Sequence, residues 1–377
     1  MNSDDLIEND ICSIPWLHTE VYLQNNSVIP CCKWKGPSLG SPKDFVKIWS
    51  GSDYSKLRTD LLNKTNRTEC SACDVGPNDF SYKKFKNSAY KNLKQDLTSS
   101  GLPRVVHITL KNVCNLACRM CSPSSSSRLQ DLSKKSIFLQ NFYRTNVDNK
   151  FDINSIAGMF GNLHKLVITG GEPLIDEDCI MLLSMAEQES TKFQSLTMSS
   201  NLNFIHPKIF EALSNTRASI NINVSIDGPI KIHEYIRYGC DWKNIVENLK
   251  KIKNLCSSIG VNATISAMNV GYLHELIEDV YKLETETGIN FTHIMPSPVL
   301  EPHLHAGGLP DNIKQLYKEK LLRLDQNYKL RGANILIQTG LSLLESKVHS
   351  DISAMHFLQE FDKVANTDYR EVYPEWI

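Results

Sequence analysis

The sequence predicts an α/β fold organised on a parallel sheet. Between residues 104 and 296, short apolar runs at 105–110, 165–169, 195–198, 220–226, 261–266 and 291–294 alternate with helical patterns at 178–189, 207–213, 242–256 and 272–287. Strands this apolar, joined by helices, belong in a parallel sheet with helices packed on one face, and ligands gather at the carboxyl ends of such strands. Those ends are polar here: Ser199-Ser200-Asn201 closes the third run and Ser225-Ile226-Asp227-Gly228 the fourth. Periodicity alone leaves a partial barrel and a doubly wound sheet both open.

Each run has its own justification. The first, 105–110, leads straight into Cys114, Cys118 and Cys121, spaced Cys-x3-Cys-x2-Cys. Three thiolates on one short loop can hold three corners of an iron–sulfur cube and leave the fourth iron open to a ligand. Structural zinc wants four protein ligands, so a zinc loop would need a distant fourth partner. The second run ends in Thr169-Gly170-Gly171-Glu172-Pro173. Two glycines permit a close backbone approach, Glu172 can accept from an ammonium group, and Pro173 stops the strand. The third and fourth runs deliver Ser200, Asn201, Ser225 and Asp227, which can donate to and accept from a vicinal diol, with Gly228 turning the chain.

The chain has 377 residues, 41% of them hydrophobic, enough for one large core and a smaller satellite. Lys+Arg 41 against Asp+Glu 42 leaves no global field to attract nucleic acid or anionic lipid. The acidic first ten residues lack a signal-type apolar run, and no stretch is apolar for long enough to span a bilayer. The expectation is a cytoplasmic protein without membrane partners. In that compartment eleven cysteines serve as metal ligands or buried thiols in preference to disulfides.

The cysteine loop at a strand end, followed at the right distance by Gly-Gly-Glu-Pro, resembles the radical S-adenosylmethionine (SAM) superfamily. The resemblance implies a partial (β/α)6 TIM-like barrel over 101–300, a 4Fe-4S cluster on Cys114, Cys118 and Cys121, and SAM chelated at the open iron. It also implies reductive cleavage of SAM to a 5′-deoxyadenosyl radical. Gly170, Gly171, Glu172 and Pro173 then meet the SAM amino group, with Ser200, Asn201, Ser225 and Asp227 at the ribose and methionine. Arg237, in His233-Glu-Tyr-Ile-Arg237, resembles the arginine that steadies the SAM carboxylate, a task suited to a guanidinium fork. Met120 departs from the aromatic residue many relatives carry before the last cysteine.

Residues 1–100 are expected to form a separate cysteine-rich module. Cys12, Cys31, Cys70 and Cys73, with Cys32 as the alternative to Cys31, resemble the auxiliary-cluster module called SPASM or, in its short form, twitch. Four thiolates could ligate a second 4Fe-4S cluster fully, and tetrahedral zinc is the competing occupant. Three features depart from the pattern: the module precedes the barrel, Asn26 replaces a glycine, though asparagine tolerates left-handed geometry, and cysteines for a further cluster are missing. The basic run 81–94 reads as a solvated helix face.

Elsewhere, Cys179 and Cys256 read as core thiols on helices. Cys240 could return a hydrogen atom to a substrate radical, although an inert buried thiol is the plainer role. Ser122 to Ser127 could contribute hydroxyls near the site, with a flexible lead into a helix the plainer reading, and His303 and His305 read as exposed. Residues 301–377 form a helical extension. The expected enzyme is a radical SAM protein acting on a peptide or protein. A small molecule such as an amino sugar or nucleoside derivative is the alternative, and a non-catalytic zinc scaffold the remote one. Flavodoxin or ferredoxin would supply electrons.

Overall fold

The computed structural model describes residues 11–73, 87, 101–144, 151–323 and 328–377. The basic run therefore lies outside the described residues except for Asn87. Its strands are β1 (His18–Tyr22), β2 (Ser27–Ile29), β3 (Val105–Thr109), β4 (Ala117–Cys118), β5 (Lys165–Thr169), β6 (Ser195–Ser200), β7 (Ser219–Ser225), β8 (Arg237–Tyr238), β9 (Cys256–Ile265) and β10 (Ile294–Pro298). Eight of these form one open sheet in the order β10-β9-β7-β6-β5-β3-β1-β2, parallel throughout except for the β1/β2 hairpin.

All six predicted strands occur. On the first five, one set of alternate residues is apolar and sealed, as with Val106, Ile108, Leu166, Ile168, Leu196, Met198, Ile222 and Val224. These pack in one continuous core with the helices Asp178–Glu189, Pro207–Asn215, Trp242–Ile252 and Leu273–Thr287. The opposite set is mostly polar and half-buried, as with His107, Thr169, Thr197, Asn221, Asn223 and Asn262, while Val105 and Val167 on it pack in a second apolar cluster with N-terminal residues. One face is thus closed by helices and the other is left polar at the level of the strand ends.

Several expectations need correction. The described residues of the first hundred do not all stand apart: β1 lies parallel to β3 with His18 opposite Val105, so the hairpin extends the main sheet. Its turn places Asn26 at φ 53°, the left-handed geometry in which asparagine substitutes for glycine. Cys256 opens β9 instead of riding a helix, because the preceding helix stops at Ile252 and Asn254 follows its cap. The last strand begins at Ile294, three residues late, and carries Pro296 and Pro298, which an edge strand tolerates because its outer N–H groups need no partner.

The C-terminal residues form the helices Asp311–Leu322, Ala333–Glu345 and Ala354–Ala365. Phe357, Leu358 and Phe361 of the last helix are fully buried in the same core as the sheet.

Candidate active site

The loop after β3 is fixed from both sides. Asn112 is buried and donates through Nδ2 to Pro123 O (2.9 Å) and Gln130 Oε1 (3.0 Å). Ser127 Oγ accepts from Cys114 N and donates to Cys114 O, both at 3.2 Å. Ser126 donates to Leu116 O at 2.5 Å and caps the helix Ser127–Ser133 by accepting from Leu129 N. The serine tract expected to be a flexible lead therefore wraps the cysteine loop. On the other side, Ala117 and Cys118 pair antiparallel with Tyr238 and Arg237.

That pairing brings Arg237 Nη1 to 3.9 Å from Cys118 Sγ. Burial raises the pKa of all three thiols, pushing Cys114 up to about 12, while the Arg237 guanidinium pulls each of them down. Cys121 also raises Cys114, and Cys121 and Cys114 both raise Cys118, so the thiols lie in one electrostatic neighbourhood. Among the described residues, no three His, Cys, Asp or Glu side chains are closed together tightly enough to hold a metal ion as they stand. The donor set nevertheless suits a 4Fe-4S cluster: soft sulfur ligands on one loop, beside one cation that favours thiolate.

The glycine-acid turn nests on this loop. Gly170 and Gly171 have φ 80° and 45°, and a Cβ on Gly171 would stand 2.5 Å from Val113 O and 2.7 Å from Lys111 O. The backbone that this pair approaches is the cysteine loop itself. Glu172 is buried; its N–H donates to Val113 O, Oε1 accepts from Leu174 N and Ser200 Oγ (3.0 and 2.7 Å), and Oε2 accepts from Asn201 N (2.7 Å). Burial raises its pKa against those hydrogen bonds. Asn201 Nδ2 reaches back to Asn115 Oδ1 at 3.0 Å, so Pro173, Glu172, Ser200, Asn201 and the cysteine loop form one assembly. Ser225 ends β7, half-buried beside Asn262.

Asp227 behaves differently from the residue expected at a diol. It is fully buried; Oδ1 accepts from Thr264 N (2.8 Å), and Oδ2 lies 2.7 Å from Arg237 Nε. Although burial opposes the charge, Asp227 and the Cys118 thiol hold Arg237 above its usual range. His233 Nδ1 faces Asp227 N (3.2 Å), which only donates, so the ring carries its proton on Nε2 and directs it at Cys240 Sγ, 3.6 Å away. Burial pushes Cys240 up to about 12 and His233 well down, making both neutral.

In the N-terminal segment, Cys31 is buried in an apolar cluster with Cys12 and Cys73 packed against it, and burial with the neighbouring Cys12, Cys32 and Cys73 raises its pKa. Cys73 N donates to Cys70 O at 3.1 Å, and Lys35 N to Glu69 O at 2.8 Å, joining the two cysteine stretches. Cys32 is exposed. Its N–H donates to Glu20 Oε1 at 2.8 Å.

Two histidines depart from expectation. His303 sits between the Phe142 and Phe357 rings (4.7 Å each), and burial brings it down to about 4. His305 is buried and accepts from Gly307 N. Sequence reading also passed over Glu20, His107, Arg119 and Asp362. The available signal was a charged residue in an otherwise apolar pattern, as in Phe357-Leu358-Phe361-Asp362 on one helix face.

An open parallel sheet with a thiol loop and an acid turn at the ends of adjacent strands defines an α/β enzyme class in which ligands meet those strand ends. The radical SAM superfamily model matches residues 108–285, so this stretch is similar to a radical SAM domain, and that match supports an enzyme. That class implies a 4Fe-4S cluster and SAM. No curated protein matches the chain. Among solved structures it is similar to native anSMEcpe with bound AdoMet (16% identity, 58% of this chain, 59% of that chain, TM-score 0.43). It is similar also to Streptococcus suis SuiB bound to S-adenosylmethionine (15%, 75% and 62%, TM-score 0.39) and to TYW1 with a lysine-pyruvate adduct bound (12%, 58% and 71%, TM-score 0.34). The alignment spans 59% of the length of anSMEcpe.

Proposed function

We propose that the protein cleaves SAM reductively and uses the resulting radical to abstract hydrogen from a peptide or protein. Cys114, Cys118 and Cys121 hold the cluster. Glu172 and the strand-end residues Ser200, Asn201 and Ser225 shape the SAM site, and Arg237, braced by Asp227, supplies its positive charge. The bound cluster and SAM supply the electron transfer and the radical; the chain's own task is to orient one C–H bond and exclude water. The observation that carries this reading is the pairing of Cys118 with Arg237, which puts a buried cation beside the thiol trio at the strand ends.

Cys12, Cys31, Cys70 and Cys73 hold an auxiliary 4Fe-4S cluster in this reading, supported by the buried Cys31 and by Cys12 and Cys73, partly buried against the same apolar cluster. A peptide suits the half-buried polar face, where Asn221, Asn223, Asn262 and Thr197 offer amide and hydroxyl groups without net charge. The hydroxyls of Thr109, Thr169 and Thr197 favour a polyol such as an amino sugar as the second reading. Flavodoxin or ferredoxin is the proposed electron donor and the cytoplasm the proposed location.

The test is anaerobic reconstitution followed by reduction with dithionite in the presence of SAM. Release of 5′-deoxyadenosine is expected from the wild type and from Cys70→Ala. Unchanged release from Cys118→Ala would defeat the assignment.

A further inference from the structure

We propose that Asp362, in the C-terminal helix, is a positioning residue for the cysteine loop and acts through Arg119; the idea rests on the reading of Cys118 as an iron ligand. Arg119 stands directly after Cys118, yet its side chain turns away from the thiols into a sealed crevice and is fully buried. Its guanidinium lies 3.6 Å from the centre of the Tyr235 ring and 4.6 Å from that of Phe361. Nη1 donates to Tyr235 O, while Nη2 donates to Asp362 Oδ1 at 2.6 Å and to Thr367 Oγ1 at 2.7 Å.

Asp362 is a hub. It also accepts from Tyr235 OH at 3.1 and 3.0 Å, from Thr367 Oγ1 at 2.6 Å and from Tyr369 N at 2.6 Å. One carboxylate thus ties together the cysteine loop, the helix Ile230–Ile236 that leads into Arg237, and the end of the chain's last long helix.

The consequence for the site follows from the backbone. Arg119 N donates to Ile236 O at 2.9 Å, next to the two-residue pairing that sets Cys118 against Arg237. A pairing this short cannot hold its own register, since isolated strand pairs need additional packing. The Arg119 fork supplies that anchor: losing the carboxylate leaves a desolvated guanidinium that must reach for water, dragging residues 117–119 off 236–238. The contact between Arg237 and Cys118 goes with them.

The test has two arms on the full-length chain. In protein purified without iron, alkylation of Cys118 by N-ethylmaleimide is followed by peptide mass spectrometry, with Cys179, buried in the helix Asp178–Glu189, as internal control. Cys118 is 8% exposed in the native fold. Asp362→Asn, which keeps the shape and removes the charge, is expected to raise the Cys118 rate about tenfold by local opening and to leave Cys179 unchanged. After reconstitution, the SAM-induced change in the electron paramagnetic resonance spectrum of the reduced cluster is expected to vanish in Asp362→Asn. Arg119→Lys, which keeps the charge and loses the fork, is expected to raise the Cys118 rate as well and to alter the spectrum; wild-type behaviour in both readouts overturns the fork as the anchor.

Wild-type alkylation and a wild-type spectrum in Asp362→Asn overturn the proposal, whatever happens to its melting temperature. Should Asp362→Asn fail to fold, Thr367→Val removes one acceptor from Nη2 and keeps the ion pair; a rise of about threefold is expected by the same opening, and no rise overturns the proposal. The first arm needs no cluster. A wild type that assembles no SAM-responsive cluster therefore overturns the reading of the site, whereas equal alkylation rates overturn the clamp.

Discussion

Arg237 and Asp227 form a buried ion pair of 2.7 Å, and the same guanidinium extends Nη1 toward the Cys118 thiol. The carboxylate occupies one edge of the fork and leaves another for the site. In the proposed site Asp227 therefore acts by holding Arg237, and the sequence order Asp227 to Arg237 places both on the same short segment after β7.

Asp227→Asn should be severely destabilising. Breaking a buried ion pair from one side leaves an uncompensated cation and costs about 3 to 5 kcal/mol. Denaturant unfolding of the variant should show that loss, along with loss of 5′-deoxyadenosine release; a change under about 1 kcal/mol would mean that water or another acceptor reaches Arg237.

Asp176 gives a pH-dependent prediction. Burial raises its carboxyl to about 6; Oδ1 accepts from Asp178 N at 3.0 Å, and Oδ2 is buried without a hydrogen-bond partner among the described residues. A raised folded-state pKa means the folded form binds the extra proton, so stability falls as pH rises from the unfolded value near 4 through about 6. Asp176→Asn, which keeps the shape, should stabilise the protein by about 2 to 3 kcal/mol at pH 8 and by little below pH 4. Melting curves of both proteins across that range test it, and a gain that persists unchanged at pH 4 contradicts it.

Gly171→Ala should displace the cysteine loop. The added methyl would press on two backbone oxygens at 2.5 and 2.7 Å, in a left-handed conformation alanine resists. A loss of about 1 to 3 kcal/mol is expected, together with lower iron uptake. Full iron content in that variant would show that the loop yields without penalty.

Cys31 and Cys32 should separate cleanly. Cys31 faces Cys12 and Cys73 in an apolar cluster, while Cys32 is exposed. With Cys114, Cys118 and Cys121 all replaced by alanine, Cys31→Ser should empty the remaining iron and Cys32→Ser should not, as read by iron-to-protein ratio. The reverse pattern would exchange their roles.

Much of the candidate site's geometry was readable because its signals are local. The Cys-x3-Cys-x2-Cys spacing, the glycine pair at φ 80° and 45°, and the polar ends of β6 and β7 each depend on neighbours within a few residues. Helix ends were less readable: Cys256 looked helical because apolar spacing continued past Ile252, while the chain had already turned into β9. His303 looked exposed because a proline- and glycine-bounded loop commonly is, yet Phe142 and Phe357 enclose it from distant helices.

By itself the sequence determined the alternation of strands and helices and the thiol loop that ends β3, because hydrophobic period and turn chemistry act over a handful of bonds. Only the tertiary structure decided that the β1/β2 hairpin joins the main sheet, that Asp227 braces Arg237, and that Arg119 meets a carboxylate 243 residues away. The last two of those choices come from buried charges seeking partners. A desolvated guanidinium takes whichever acceptor the packed core brings within reach, and no local pattern records which one that is.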